Sequence, residues 1–223
     1  MLHVDTAYRQ DERNRLVAIN DWEPRTVPRL QLGRTAESVI WRFRHDLPDS
    51  VCDELDGVCR REKPPDTDAA SVEVEKYQTI LHKHGLSSVQ WAGPVYWFAS
   101  MPRVRGEAIQ ISSNNEHLLR DDLASWCPDV PHQQPMLVVV EDGKAISVCA
   151  SVRKSATAHA AGVETSTEYR GRGHAVIAVP GWVITVQEMG LVALYSTSWA
   201  NQTSQRLAAK VGATVIGEEL HFT

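Results

Sequence analysis

Hydrophobic residues in the second half of the chain recur in short runs of the length that strands need, separated by polar or glycine-containing turns. Two such runs, at 136–140 and 144–148, flank Asp142-Gly143, a pair typical of the two-residue turn of a β-hairpin. The remaining pattern predicts strands at 158–165 and 191–196, and a final strand that 214–216 and 220–222 make together. Helices are predicted at 114–126, which Ile109-x-Ile111 precedes, at about 173–189 and at 201–211.

The last two of these helices carry signals at their ends. Asn201 can cap the N-terminus of the second, Gly212 suits the position after its C-terminus, and Lys210 lies in its last turn. Pro180 falls inside the first, where a proline removes a hydrogen bond and costs about 3 kcal/mol. We therefore expect a bend near Val176, with the start of that helix intact.

Residues 1–105 show a less regular pattern and no motif that indicates chemistry. Helices are predicted at 9–22, 48–61 and 69–84, a turn at 63–66 and a strand at 89–98. The helix at 48–61 has an apolar stripe of Val51, Leu55, Val58 and Cys59. We assign 1–105 to an N-terminal α/β extension of unknown role and 107–223 to a second domain.

Aromatic residues are concentrated in the predicted strand at 89–98. They are Trp91, Tyr96, Trp97 and Phe98. This density suits a substrate pocket, but packing against the neighbouring core is the simpler explanation and the one we favour.

The stretch Tyr169-Arg170-Gly171-Arg172-Gly173-His174-Ala175 follows the strand at 158–165 and opens the long helix. Such a turn directs several backbone N–H groups into one small space, where they and the helix dipole bind phosphate oxygens. Glycine matters because a Cβ would hold the anion away from the main chain. The turn lacks the Lys-Ser/Thr ending of a nucleotide P-loop and the three-glycine spacing of the dinucleotide fingerprint. Taken alone, it indicates either a plain tight turn or a different diphosphate ligand.

Two motifs make a family resemblance specific. Arg170-x-x-Gly173-x-Ala175 is similar to the Arg/Gln-x-x-Gly-x-Gly/Ala pyrophosphate loop of the GNAT acyltransferases. About thirty residues further on, Asn201-x-x-Ser204-x-x-Leu207-x-x-Lys210-x-Gly212 resembles the second signature of that superfamily. The predicted order of elements over 107–223 is that of the GNAT core. The resemblance therefore implies an α/β fold with a mixed, mostly antiparallel twisted sheet flanked by helices.

The resemblance also implies acetyl-CoA as the cofactor and assigns residues to it. Loop N–H groups would bind the CoA pyrophosphate, Arg170 or Arg172 would add charge, and strand amides would polarise the thioester carbonyl. The Asn and the small residue of the second motif contact the pantetheine arm in the family. The cofactor-binding residues expected on this basis are Val163, Thr165, Arg170, Gly171, Arg172, Gly173, His174, Ala175, Asn201 and Ser204.

The implied reaction is direct transfer of an acetyl group to a primary amine of a small molecule in a ternary complex. An alkyl amine has a pKa near 10.4, so about one molecule in a thousand is unprotonated at neutral pH, and removing the proton costs about 4 kcal/mol. Glu164, at the strand end nearest the loop, is the preferred general base, and His159 is the alternative. Strict alternation places them on opposite faces unless Gly162 marks a bulge. A structural role for Glu164, with water as the proton acceptor, stays open.

One position departs from the family pattern. Many GNAT members have a tyrosine after the leucine of the second motif, as general acid for the leaving thiolate, and here that position is Ala208. A thiol pKa near 8.5 makes the thiolate a tolerable leaving group, and water or Tyr195 could protonate it. Alternatives therefore stay open: a non-catalytic CoA-binding or sensory module, or an acyltransferase that uses another acyl-CoA or a protein amine.

Composition narrows the class of protein further. A net charge of −5 and a pI near 6.0 argue against a nucleic-acid partner. No run approaches eighteen apolar residues, so we expect no membrane span, and the charged stretch 1–15 does not resemble a secretory signal. We expect a cytoplasmic protein, and a homodimer stays open. No metal site is predicted from His82-x-His84 or from Cys52, Cys59, Cys127 and Cys149.

Overall fold

The computed structural model describes residues 2–65, 73–86, 89–103 and 106–223. Within these ranges the α-helices are α1 (Leu2–Ala7), α2 (Asp49–Cys59), α3 (Val74–Lys83), α4 (Ala175–Glu188) and α5 (Gln202–Lys210). The strands are β1 (Tyr8–Gln10), β2 (Leu16–Ile19), β3 (Leu30–Arg34), β4 (Val39–Phe43), β5 (Gln90–Trp97), β6 (Ile109–Gln110), β7 (Met136–Glu141), β8 (Lys144–Lys154), β9 (Ala158–Thr165), β10 (Val192–Ser196) and β11 (Thr214–Phe222). Short 3₁₀ helices lie at Glu116–Leu118, Asp121–Asp129 and Thr167–Tyr169.

A nine-stranded sheet organises the molecule in the order β4-β3-β11-β5-β10-β9-β8-β7-β6, and β1 pairs with β2 as a separate hairpin. Neighbouring strands of the sheet are antiparallel except β9 and β10, which are parallel. Helices flank this sheet, with α4 on β7 to β10 and α2 and α3 on β3 and β11. The mixed, mostly antiparallel α/β fold confirms the fold class that the sequence predicts.

Two clusters of buried side chains hold the helices on the sheet. Trp182 of α4 is fully buried against β7 and β8, where Leu137 and Ile146 contribute. Leu55 of α2 and Tyr77 of α3 pack on β3 and β11, in a cluster that also buries the predicted stripe and Cys52. The sheet is therefore anchored from both halves of the chain.

Several elements agree closely with the sequence prediction. The hairpin turn has φ of 49° at Asp142 and 69° at Gly143, the left-handed backbone that this turn requires. The strand at 158–165 and the helix within 48–61 are confirmed, and Gly212 has φ of 81° just after α5. The helix α4 continues through Pro180, and the bend near Val176 stays a prediction.

The predicted helix at 9–22 is wrong, because these residues form β1, a turn and β2. Asp11 Oδ1 accepts from the amides of Arg13 and Arg15, at 2.9 and 2.8 Å, and Asn14 has φ of 57°. A short carboxylate side chain that bonds to the following amides favours a turn over a helix.

The predicted helix at 114–126 is also wrong, since two 3₁₀ helices replace it. The backbone turns back at Asp121, where φ is 53°. Before that, Asn115 Oδ1 accepts from the Ser112 amide at 2.7 Å and fixes a local turn. Side-chain bonds to the backbone again compete with the helix.

Strands from before and after residue 105 belong to the same sheet, since β11 lies between β3 and β5. The proposed boundary between 1–105 and 107–223 therefore falls within a shared sheet, and the division into two domains stays a prediction. The predicted helix at 69–84 corresponds to α3, and its first residues, like the end of the turn at 63–66, lie outside the described residues.

Candidate active site

A cleft opens where β9 and β10 separate. The two strands pair from Val192–Ala158 to Leu194–Ala160, but β9 continues to Thr165 and β10 to Ser196. The cleft has a volume of about 720 Å³. Its walls are formed by Val163, Glu164, Thr165, Tyr169, Arg170, Gly171, Gly173, His174, Ala175, Val176, Tyr195, Asn201, Thr203, Ser204, Arg206, Leu207 and Lys210.

Backbone donors lie along the edge of β9 beyond the point where its pairing with β10 ends. Just after β9, the Ser166 amide donates to the Ile146 carbonyl of β8 at 2.9 Å. Successive residues of a strand direct their amides to opposite edges, so Glu164 shares the edge of Ser166. The amides of Val163 and Thr165 therefore face away from β8, at the edge that borders the cleft.

The loop between β9 and α4 presents a run of unpaired amides. Gly171 and Gly173 have φ of 77° and 89°, a conformation that glycine adopts without strain. A Cβ at either position would meet no atom within 4 Å, so the space beside the loop is open. Within the described part of the chain, the amides of residues 171–175 have no hydrogen-bond acceptor. The loop thus has the geometry of an anion site at a helix N-terminus.

The loop end of the cleft is rich in cations. Arg170 donates to the Thr165 carbonyl at 3.0 Å, which fixes its stem beside the loop. The charged groups of Arg172 and Lys144 lie over the Tyr169 ring, 5.2 and 5.4 Å from its centroid. These cation–π contacts hold both cations near the loop. Lys144 comes from the β7–β8 hairpin, and no spacing in the sequence connects it with the loop.

Asp122 supports the loop from a distant part of the sequence. Its Oδ2 accepts from the Thr167 amide at 2.7 Å and from the Ser166 hydroxyl at 3.1 Å. These hydrogen bonds lower the pKa of Asp122 below its ordinary value. The carboxylate therefore fixes the turn that leads from β9 into the loop, a role that sequence analysis missed because 45 residues separate Asp122 from Thr167.

The second motif forms the opposite wall of the cleft. Asn201 Oδ1 accepts from the Ser204 amide at 3.0 Å, which confirms the predicted N-cap of α5. The Ser204 hydroxyl lies 2.6 Å from the Tyr195 hydroxyl of β10. Asn201 and Ser204 both border the cleft, and their contact with a cofactor stays a prediction.

The position without the family tyrosine is closed. Ala208 is fully buried in the same cluster as Tyr195. Ser204 and Ala208 are four residues apart, hence on one face of α5. Burial raises the pKa of Tyr195, which keeps its hydroxyl protonated at neutral pH. The Tyr195–Ser204 pair thus places hydroxyl groups on the face of α5 that Ala208 occupies.

Glu164 lies in the cleft, and its carboxylate is held from the sheet face opposite α4. The indole N–H of Trp126 donates to Glu164 Oε2 at 2.7 Å. The bulge in this strand pair lies on β8, between Ser151 and Arg153, and not at Gly162. Alternation along β9 is therefore unbroken, so Glu164 and His159 point to opposite faces.

His159 is buried beneath α4 and is absent from the walls of the cleft. Its Nδ1 lies 2.9 Å from the Ser151 hydroxyl, which also accepts from Trp182 Nε1 at 3.0 Å. Burial, with a smaller contribution from the Lys154 charge, lowers the pKa of His159 to about 4. The geometry favours Glu164 as the base, although both assignments stay predictions.

Comparison with known proteins shows which family these features resemble. A family model described as GNAT acetyltransferase matches residues 137–218. A GNAT-family protein from Novosphingobium aromaticivorans is similar at 14% identity, with a TM-score of 0.51 over 61% of this chain and 66% of that one. An acetyltransferase of the GNAT family from Colwellia psychrerythraea has 10% identity and a TM-score of 0.51 over 82% of this chain and 75% of that one. No curated protein matches the chain.

The matched residues 137–218 include both motifs and all residues that line the cleft, so the similarity to the GNAT acetyltransferase family covers the whole candidate site. The likeness to the solved structures is one of fold. The match to the family model supports acyl-CoA-dependent acyl transfer as the general class of activity. Among the described residues, no helix has the length and apolar character needed to cross a membrane.

Proposed function

We propose that the protein is an acetyl-CoA-dependent N-acetyltransferase that transfers the acetyl group directly to a primary amine of a small molecule in a ternary complex. The observation that carries this proposal is the cleft between β9 and β10. It combines unpaired amides at the loop with the Glu164 carboxylate on the strand. The first feature suits a diphosphate, and the second suits proton removal from an amine.

The loop end of the cleft fits the diphosphate of CoA. The amides of residues 171–175 lack acceptors within the described ranges, and the glycine positions leave room for phosphate oxygens. Arg170, Arg206 and Lys210 supply positive charge around the same opening. Val163 and Thr165 offer strand amides to the thioester carbonyl, and Asn201 and Ser204 offer polar groups to the pantetheine arm. Acetyl-CoA, when bound, supplies the activated acetyl group.

Glu164 is the residue that supports the acceptor half of the reaction. An ammonium group must lose its proton before it can attack, at a cost of about 4 kcal/mol at neutral pH. A carboxylate within reach accepts that proton and contributes typically about 10²- to 10⁴-fold in rate. We assign this role to Glu164, with His159 as the buried and less accessible alternative.

The hydroxyl pair of Tyr195 and Ser204 is suited to the leaving thiolate. At 2.6 Å the two groups share a short hydrogen bond, so a proton given up by one can be replaced through the other. The pair thus supplies a hydroxyl donor on the wall where Ala208 provides none. A thiolate also leaves without such help, since its conjugate acid has a pKa near 8.5.

The test uses the purified wild-type protein with acetyl-CoA and a panel of small amines. Calorimetry should show saturable binding of acetyl-CoA, and a thiol reagent should detect CoA release that depends on one class of amine. Mass spectrometry of the product should show the mass of an acetyl group added to the amine. Absence of acetyl-CoA binding contradicts the proposal.

Ala208 favours a second candidate, a CoA-binding module without turnover. Binding of acetyl-CoA with no product from any amine supports this module against the enzyme. Including a longer acyl-CoA and a lysine-containing peptide in the same panel separates the remaining alternatives, another acyl donor and a protein amine.

A further inference from the structure

The Glu164 carboxylate is held by a residue from outside both motifs. Trp126 lies in the 3₁₀ helix Asp121–Asp129, and its indole N–H donates to Glu164 Oε2 at 2.7 Å. Within the described part of the chain, this is the one hydrogen bond that the carboxylate accepts. A bond from N–H to an ionised oxygen is charge-assisted and roughly twice as strong as a neutral one.

The strand is shaped to admit the indole. Gly162 shares a face of β9 with Glu164, two residues away. A Cβ at Gly162 would lie 3.3 Å from Trp126 Cη2 and 2.3 Å from Cγ1 of Val152. The need for glycine here is one of space, because its backbone has no positive φ. Gly162 therefore lets Trp126 and Val152 pack on the strand beside the carboxylate.

We propose that Trp126 is a positioning residue for proton removal, holding Glu164 Oε2 so that Oε1 is presented to the acceptor amine. The inference rests on the proposed function. In the step it supports, one N–H bond of the acceptor's ammonium group breaks and one O–H bond forms on Oε1. The freed lone pair of the nitrogen would then attack the acetyl carbonyl and form the C–N bond, while the C–S bond of the thioester would break with the CoA thiolate as the leaving group. Trp126 transfers nothing itself and keeps the carboxylate from rotating away.

The chain offers a matched control in Trp22. Its indole N–H also donates to a carboxylate at 2.7 Å, on Asp129, but Trp22 is 43% exposed and does not line the cleft. Trp126→Phe and Trp22→Phe each remove one N–H donor and keep an aromatic ring. A general effect of losing an indole would appear in both variants.

Kinetics with acetyl-CoA and an amine that the wild-type protein acetylates separate positioning from structure. We expect Trp126→Phe to lower kcat about tenfold, the order expected for a hydrogen bond to a charged group, without changing the KM for acetyl-CoA. Trp22→Phe should keep the wild-type kcat.

A double-mutant cycle with Glu164→Gln shows whether Trp126 acts through Glu164. We expect Trp126→Phe to lower kcat much less in the Glu164→Gln background than in the wild-type background. Equal loss in both backgrounds, or wild-type kcat in Trp126→Phe, overturns the inference.

A readout that needs no turnover comes from protein labelled with ¹⁵N-tryptophan. The indole resonance that is missing in Trp126→Phe should shift in Glu164→Gln, and an unchanged resonance contradicts the contact. Failure of the proposed function is recognised separately, since the wild-type protein would then acetylate no amine.

Discussion

Among the described residues, backbone amides lack hydrogen-bond partners at the loop end of the cleft, whereas polar groups are paired around Glu219. In the cleft, the amides of residues 171–175 have no acceptor in the described parts of the chain. The buried Glu219 carboxylate, by contrast, bonds with His3 Nδ1 at 3.0 Å and Gln31 Nε2 at 3.1 Å. A buried polar group without a partner costs about 1–3 kcal/mol. The contrast teaches that the open loop can leave donors available to water or a ligand, whereas the buried carboxylate needs its partners within the fold and so forms a structural joint.

The joint is made by charges that support each other. Burial opposes the charged form of His3, but the Glu219 carboxylate outweighs it and raises the pKa of His3. Burial likewise opposes ionisation of Glu219, but His3, with contributions from His221 and Gln31, lowers its pKa. The pair ties α1, which contains His3, to β11, which contains Glu219.

Breaking this joint should give the largest effect. His3→Leu leaves the Glu219 charge buried without its main partner, and we expect a loss of about 3 kcal/mol in the free energy of unfolding. Urea unfolding followed by circular dichroism measures it. The double variant His3→Leu, Glu219→Leu should recover part of the loss, because it removes the unpaired charge.

The pH dependence checks the sign of the same interaction. The raised pKa of His3 stabilises the fold below its ordinary value of 6.5, and this contribution is lost as pH rises through the folded-state value. The lowered pKa of Glu219 stabilises the fold above its ordinary value of 4.5 and is lost on acidification. The difference between wild type and His3→Leu should therefore be greatest between pH 4.5 and 6.5. A difference that is constant from pH 4 to 9 would contradict the charged pair.

In the cleft, Glu164→Gln should lower kcat about 100-fold at neutral pH while the unfolding free energy changes little. His159→Gln should leave kcat nearly unchanged and lower the unfolding free energy, because His159 is buried and has a pKa lowered to about 4. The pH–rate profiles of both variants measure this. Loss of the acidic limb in His159→Gln alone would identify His159, and not Glu164, as the general base. An acidic limb that survives in both variants would identify water as the proton acceptor.

Replacing Gly173 tests the loop. Gly173→Leu should weaken acetyl-CoA binding at least about tenfold in calorimetry, because a side chain would fill the space beside the free amides. Gly190→Leu is the matched control: Gly190 also has positive φ, 78°, and open space around its Cβ position, but it lies outside the cleft. If both variants lose similar stability but only Gly173→Leu loses affinity for acetyl-CoA, the loss of affinity comes from the loop and not from a less stable fold. Equal affinities would remove the loop from the site.

The smallest effect is expected at Asn201, where the cap and the cleft coincide. Asn201→Ser should preserve the stability of α5, since serine also caps a helix. The KM for acetyl-CoA should rise about fivefold, the worth of one hydrogen bond. Steady-state kinetics that match the wild type would leave Asn201 with the capping role alone.

Sequence predicted the elements whose signals are local. The Asp142-Gly143 turn and the Asn201 cap were readable because neighbouring residues determine each conformation. The segments around Asp11 and Asp121 were misread as helical, since side-chain bonds and a left-handed residue outweigh the polar helix pattern there.

The candidate site divides in the same way. The two sequence motifs predicted the loop and the second wall, and in the fold both border the same cleft. Trp126, Lys144 and Asp122 carried no readable signal, because they reach the cleft only through tertiary packing. The bulge on β8 was likewise not readable from the sequence, whereas the alternation that makes Glu164 and His159 face apart was predicted.

The position of β11 sets the order in which the sheet can assemble. Gln31 of β3 bonds to Glu219 of β11 across 188 residues of sequence, and β11 also separates β3 from β5. During synthesis, β3 therefore cannot pair with β11 until nearly all of these residues have emerged from the ribosome. Pairings that distant close slowly and leave strand edges exposed in the meantime. Recovery of the native protein after dilution from denaturant should accordingly fall as protein concentration rises, because unpaired strand edges can pair between chains.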